Sequence, residues 1–281
     1  MEFGLADGLY WYSEFEIEDA VRHLAEMGWR NIDIGPERII EAMAKGGEKR
    51  LRDFIELCES LGVRLWQLHL SFWDGEKDGE RQDVESVERW MEICRVLNVP
   101  YIGFHPSKKE YASLEEKKKI MQHNVEFFER VGKLAENTDV KIVVENMPDA
   151  QKTGAQITEL LEIIDAAGSP CIGICLDTSH ANAMNIDVIE AIHQCGRLLW
   201  ATHLSCSDGA QGQHRIPYNT PLYIYSKHKI DWFKVVQALK AINYQGPFML
   251  ETWSGEYVPP IFVRDLKLEY ARRLLTWLLS Q

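Results

Sequence analysis

The 281-residue chain is 46% hydrophobic and 26% charged, enough apolar material for one large core. No apolar run reaches the ~18 residues that a membrane-spanning helix needs. Its 43 acidic residues outnumber 31 basic ones for a net charge of −12, a balance that opposes a nucleic-acid partner, because phosphates are held by clustered Lys and Arg.

Phe3-Gly4-Leu5-Ala6 reads as a short first strand. Ser13 with Glu16 forms a capping box, and Ile17, Ala20, Val21, Leu24 and Met27 then mark one helical stripe ending at Gly28. Asn31-Ile32-Asp33-Ile34 is the second strand, and a helix from Glu37, broken at Gly46-Gly47, buries Leu51, Phe54, Ile55, Cys58 and Leu61. Val63 to His69 is the third strand, followed by a loop over 71–83 that carries Phe72 and Trp73. Val87, Met91, Cys94 and Leu97 line the next helix, and Tyr101 to His105 is the fourth strand. Ser113 with Glu116 opens a long helix to about Asn137.

The fifth strand ends at Glu145, and Ile157, Leu160, Leu161 and Ile164 mark a helix closed by Gly168. Ile172 to Asp177 is the sixth strand, a helix covers about 187–195, and the seventh strand ends at His203. Residues 209–229 lack helical period, and a loop of that length in a compact domain is usually functional. Asp231 caps a helix with Trp232, Val235, Val236, Leu239 and Ile242 on its core side; the eighth strand ends at Glu251; Leu266, Tyr270, Leu274 and Leu278 mark a closing helix.

Eight strand-helix units without a linker predict one closed (β/α)8 barrel, an α/β fold occupying residues 1–281 as a single domain. The alternative, a doubly wound open sheet, wants a glycine-rich phosphate turn after the first strand, and Asp7-Gly8-Leu9-Tyr10 is not one. Six scattered cysteines read as reduced thiols, and the first residues lack the basic and apolar regions of a secretory signal, so a cytoplasmic protein is expected. Lys117-Lys118-Lys119 follows Glu115-Glu116 within a helix and reads as a solvated face.

Barrel closure brings every strand's C-terminal end to one mouth. Glu145, Asp177, His203 and Glu251 become neighbours there, joined by His69, His105 and His180, with His214 arriving from the long loop. A lone buried histidine is ordinarily core, and a lone strand-end acid often caps a backbone. So many acids and imidazoles in one concavity, however, are costly to desolvate without a cation. Two Glu, one Asp and one His form a mixed oxygen and nitrogen ligand set suited to Mn2+, Mg2+, Co2+ or Zn2+.

Val144-Glu145-Asn146, Leu176-Asp177-Thr178-Ser179-His180-Ala181, His203-Leu204-Ser205 and Leu250-Glu251-Thr252 resemble the xylose-isomerase-like superfamily of sugar isomerases and epimerases, which also contains endonuclease IV. The resemblance spans strands three to eight. It implies that Glu145, Asp177, His203 and Glu251 hold one divalent metal, that Glu145 and Glu251 also exchange protons with substrate, and that His180 contacts substrate or a further metal. In the nuclease branch His69 and His105 match extra zinc ligands and Gln213-His214-Arg215 resembles the segment carrying the last ones. Gly212 stands where that branch has an Asp, and the acidic charge is wrong for DNA. The epimerase His-x-x-Pro-Gly-x-Gly stretch reads His214-Arg215-Ile216-Pro217-Tyr218-Asn219-Thr220, so the loop that shapes substrate is this protein's own.

The expected chemistry is isomerisation or epimerisation of a sugar, or of a related polyol or keto-acid. A metal on adjacent carbonyl and hydroxyl oxygens acidifies the C–H between them and stabilises the enediolate, while Glu145 and Glu251 move the proton. Trp11, Trp73 and Trp253 are placed to stack on a sugar or simply to pack. The absence of an Arg or Lys cluster at the strand ends favours an unphosphorylated substrate, with Arg215 and Lys229 keeping a phosphorylated one open. The alternatives are an endonuclease IV-like zinc phosphodiesterase, a lyase or dehydratase using the same enolate, and a non-catalytic barrel. The sequence leaves oligomeric state open, a homo-oligomer included.

Overall fold

The computed structural model describes residues 1–6, 8–70, 84–209, 213–218, 229–252 and 259–281. Eight parallel strands alternate with helices: β1 (Phe3–Leu5), α1 (Ile17–Glu26), β2 (Asn31–Ile34), α2 (Pro36–Ser60), β3 (Arg64–His69), α3 (Val84–Val96), β4 (Tyr101–Phe104), α4 (Leu114–Ala135), β5 (Lys141–Glu145), α5 (Ile157–Ala167), β6 (Ile172–Asp177), α6 (Thr178–Ala183), α7 (Val188–Cys195), β7 (Leu199–His203), α8 (Trp232–Ala241), β8 (Phe248–Leu250) and α9 (Ile261–Leu279). The sheet runs β7-β6-β5-β4-β3-β2-β1-β8. A parallel bridge between Leu204 and Leu250 joins the chain just beyond β7 to β8 and closes the barrel. This is the (β/α)8 barrel that the repeating pattern predicts.

Local chemistry explains most boundaries. Ser113 accepts a hydrogen bond from Glu116 N at 3.2 Å while Glu116 Oε2 accepts from Ala112 N at 2.7 Å, which starts α4. Asp231 accepts from Lys234 N and starts α8. Gly168, at φ 69°, closes α5 in a left-handed conformation that only glycine adopts without strain. The expected break in α2 is a kink at Gly47, φ 62°.

Two expectations are corrected and one element is added. Ser13 does not cap a helix: residues 8–12 form a short 3-10 turn, and α1 starts after Glu16 without a side-chain cap. Asp177 starts a short helix, α6, that the apolar periodicity does not signal. In α9 the buried stripe is Leu268, Ala271, Leu275 and Leu278, whereas Leu266 and Tyr270 are exposed. Phe262, Trp277 and other apolar residues on that exposed side blur the helix's period.

The main core lies between sheet and helices, and each fully buried aliphatic or Phe side chain contributes roughly 1.5–3 kcal/mol there. A second, small apolar cluster of Val143, Cys175 and Ala201, against Tyr101 and Trp200, is separate from it. Side chains two apart on a strand share a face, so Val143, Cys175 and Ala201 stand directly below Glu145, Asp177 and His203. Below these three mouth residues the barrel interior is therefore apolar. All six cysteines are free, and no described helix is long and apolar enough to cross a membrane.

Candidate metal centre at the barrel mouth

Parallel register lines up the strand ends: Glu145 pairs with Cys175, and Asp177 with His203. Glu251 follows β8, with its N–H donating to Leu204 O at 3.3 Å. One ligand atom from each of Glu145, Asp177, His203 and Glu251 falls within a 4.8 Å group. His203 Nδ1 stands 3.2 Å from Glu145 Oε2 and 3.5 Å from Glu251 Oε2.

Around this group lie the other imidazoles. His69 Nε2 is 3.0 Å and His105 Nε2 3.8 Å from Glu145 Oε2. His214 Nδ1 is 3.1 Å from Glu251 Oε2 and 3.5 Å from Asp177 Oδ2. The segment carrying His214 is held by an antiparallel bridge between Cys206 and Arg215. Three further groups of metal-ligand type lie around it: His69, His105 and Glu145; Glu145, Cys175 and His203; and Asp177, His180 and His214.

Neighbouring backbone sets the side chains. Asp177 Oδ1 accepts from His180 N at 2.7 Å and from Ser179 Oγ at 2.8 Å, so one oxygen caps α6 and the other faces the mouth. His180 Nδ1–H donates to Asn146 O at 2.9 Å. Asn146 itself accepts from Asp177 N at 2.8 Å and donates to Asp177 O at 3.1 Å.

The residues suit a divalent cation on two counts. Both Glu145 oxygens, Asp177 Oδ2, His203 Nδ1 and Glu251 Oε2 are buried and make no hydrogen bond, which is costly for such groups unless an ion takes them up. The electrostatics point the same way. Burial pushes the Glu145 carboxyl up, but His203, His105 and His69 outweigh it and hold it well below the usual carboxylate range. Burial would lower His214, but Glu251 and Asp177 push it up to about 10. Without a cation, imidazolium supplies the positive charge that three carboxylates demand. His105 is the contrast, driven down to about 3 by burial against the pull of Glu145.

Arg215 stands beside the mouth with Nη1 3.4 Å from Asp208 Oδ2. Trp11 lies in the 3-10 turn after β1, 7% exposed and packed into the main core. Trp73 and Trp253 lie outside the described residues, as does Gly212.

Sequence reasoning passed over Asp33 and Gln67. Both are buried, and both bear on His203: Asp33 Oδ2 lies 3.1 Å from His203 Nε2, and the Gln67 side-chain amide lies 3.1 Å from the same atom. The signal was present in the alternation Asn31-Ile32-Asp33-Ile34, and in Gln67 standing two before His69, which put polar groups on the inner face.

This barrel, with acids and imidazoles gathered at the C-terminal ends of its strands, defines the class. The chain belongs to the xylose isomerase-like TIM barrel family, whose sequence profile matches residues 21–280. It is similar to a probable ketose 3-epimerase of Synechocystis sp., 28% identical over 193 residues that cover 66% of this chain and 62% of that protein. The matched stretches span 47% to 62% of the length of the first curated relatives. Among solved structures, D-psicose 3-epimerase in the presence of D-fructose superposes with a TM-score of 0.79 at 17% identity, covering both chains fully. IolI protein with a binding zinc atom gives 0.78 at 19% identity, covering 100% of this chain and 98% of that one.

Proposed function

We propose that this protein is a divalent-metal-dependent isomerase or epimerase of a small sugar, or of a related polyol or keto-acid. The observation that carries the reading is the group of buried ligand atoms on Glu145, Asp177, His203 and Glu251, each left without a hydrogen bond. The named ketose epimerases among its relatives support it. Those four residues would hold the cation. When bound, it withdraws charge from adjacent carbonyl and hydroxyl oxygens and so acidifies the C–H between them.

Glu145 and Glu251 approach His203 from strands on either side of β7. Two carboxylates reaching one point from separate directions provide one group to take a proton from carbon and another to return it, on either face or at the neighbouring carbon. Burial raises Glu251 against the opposing pull of His214 and His203, which suits a proton-carrying partner better than a permanently ionised one. His180, fixed through Nδ1, turns its other ring nitrogen toward substrate. The barrel's walls keep water away from the carbanion.

The decisive experiment is proton exchange. In D2O, with Mn2+, Co2+, Zn2+ or Mg2+ supplied, a panel of ketoses should incorporate deuterium next to the carbonyl, and a chelator should abolish it. A metal-loaded protein that exchanges nothing across the panel, or exchange that survives chelation, would sink the proposal.

A second reading, phosphodiester hydrolysis with further metals, is favoured by two of the additional ligand groups, His69–His105–Glu145 and Asp177–His180–His214. The net charge of −12 opposes it. Nicking of abasic-site DNA by the zinc-loaded protein decides between the two.

A further inference from the structure

We infer that Asp33 and Gln67 are a positioning pair that presents His203 to its cation through Nδ1 and thereby sets how tightly the centre holds metal. The inference rests on the metal-centred reading above. An imidazole has two nitrogens, and which one is free to coordinate is decided by what the other is bonded to. His203 is 1% exposed, and its two nitrogens face different layers of the barrel. Nδ1 faces the carboxylates at the mouth, whereas Nε2 lies 3.1 Å from Asp33 Oδ2, one layer below. Both nitrogens stand beside carboxylates, Nδ1 3.2 Å from Glu145 Oε2 and Nε2 3.1 Å from Asp33 Oδ2. Glu145 and Glu251 are the groups that would bind a cation and Asp33 is not, so in the metal-loaded chain the proton would stay on Nε2 and be donated to Asp33. Nδ1 is left with its lone pair toward the metal position.

Asp33 is itself 1% exposed and belongs to none of the metal-ligand groups among the described residues. Its strand neighbour in register is Gln67, whose amide nitrogen is placed 3.1 Å from His203 Nε2, so that turning the amide about its own axis brings the carbonyl oxygen to that position. With Nε2 protonated, the network assigns the Gln67 carbonyl oxygen to that contact, making a second acceptor. The barrel reserves room for it: a Cβ on Gly103 would come within 2.9 Å of the Gln67 amide nitrogen position and 3.2 Å of Cδ. A side chain on β4 at that height would push Gln67 off the ring.

The test reads metal affinity and tautomer rather than turnover. In the zinc-loaded wild-type chain, two-bond 1H–15N spectra of labelled histidines should show His203 protonated at Nε2 and not at Nδ1. Competition against a chromophoric chelator should show Zn2+ and Co2+ held about 10- to 100-fold more weakly by Asp33→Asn. The loss should be smaller in Gln67→Leu, with far-UV circular dichroism of the metal-free variants unchanged. His203 protonated at Nδ1 in the wild-type protein overturns the inference without any variant having to fold, and so does an Asp33→Asn protein that folds and binds as tightly as wild type. A wild-type chain that binds no divalent cation overturns the reading of the centre, and this inference with it.

Discussion

At the N-terminal ends of the strands, charge is met locally. Arg64 pairs with Glu2 and donates to Asn31 Oδ1 at 2.8 Å, Asn31 donates to Phe3 O at 2.9 Å, and Lys141 lies 4.9 Å over the Trp200 ring. At the C-terminal ends, Glu145, Asp177, His203 and Glu251 are buried with atoms that make no hydrogen bond and have only one another and the neighbouring imidazoles beside them. One end of the barrel is closed by hydrogen bonds of its own, and the other gathers carboxylates and imidazoles whose charge is met only among themselves. A fold of this kind separates stability from chemistry along the strand axis, and each end can be perturbed alone.

The largest effect should come from Glu145→Gln. Substrate deuterium exchange should fall by about 10^2- to 10^4-fold, measured on metal-loaded protein with unchanged circular dichroism; retained exchange would erase the distinction between the ends. Metal itself should stabilise the mouth: at a hundred times its Kd a cation adds about 2.7 kcal/mol, several degrees of Tm for a chain of this size, and EDTA should reverse it in a thermal scan. At the other end, Gly173→Ala places a Cβ against the Trp200 ring. It should cost about 1–3 kcal/mol in urea unfolding while leaving metal affinity as it was.

The pH dependence of the metal-free protein sharpens the contrast. His214 is raised from 6.5 to about 10 by the carboxylates. Its contribution to stability is therefore fully present below about pH 6.5 and is lost as pH rises toward 10. Calorimetry in chelator should show Tm falling over that window, and His214→Gln should flatten the slope. The smallest effect belongs to the exposed pair: Arg64→Ala should change stability by less than about 1 kcal/mol and leave exchange untouched.

Much of this was legible in the sequence, because strands buried on both faces are continuous apolar runs and the first polar residue after each marks the rim. Glu145, Asp177 and His203 each end such a run, and topology rather than spacing gathers them. Asp33 and Gln67 were passed over because they stand inside their strands, where a polar residue is identified by its parity with the inner face rather than by its position at an end. Helix α6 was missed because Asp177 both caps it and faces the mouth, and six residues are too few to show a period. In α9, exposed Phe262, Leu266, Tyr270 and Trp277 obscured which side meets the sheet.

Asn146 carries a consequence for anyone redesigning the protein. Its amide exchanges two hydrogen bonds with the backbone of Asp177 just where β5 and β6 part, so a side chain supplies the last rung of the ladder. A rung of that sort asks nothing of the chain that comes after it. The connection from 147 to 156 is held separately, by Met147 N–H to Gly154 O at 2.9 Å and by Asn124 donating to Thr153 Oγ1 at 2.7 Å, so the spacing of the two acids and the course of the loop are set by different bonds.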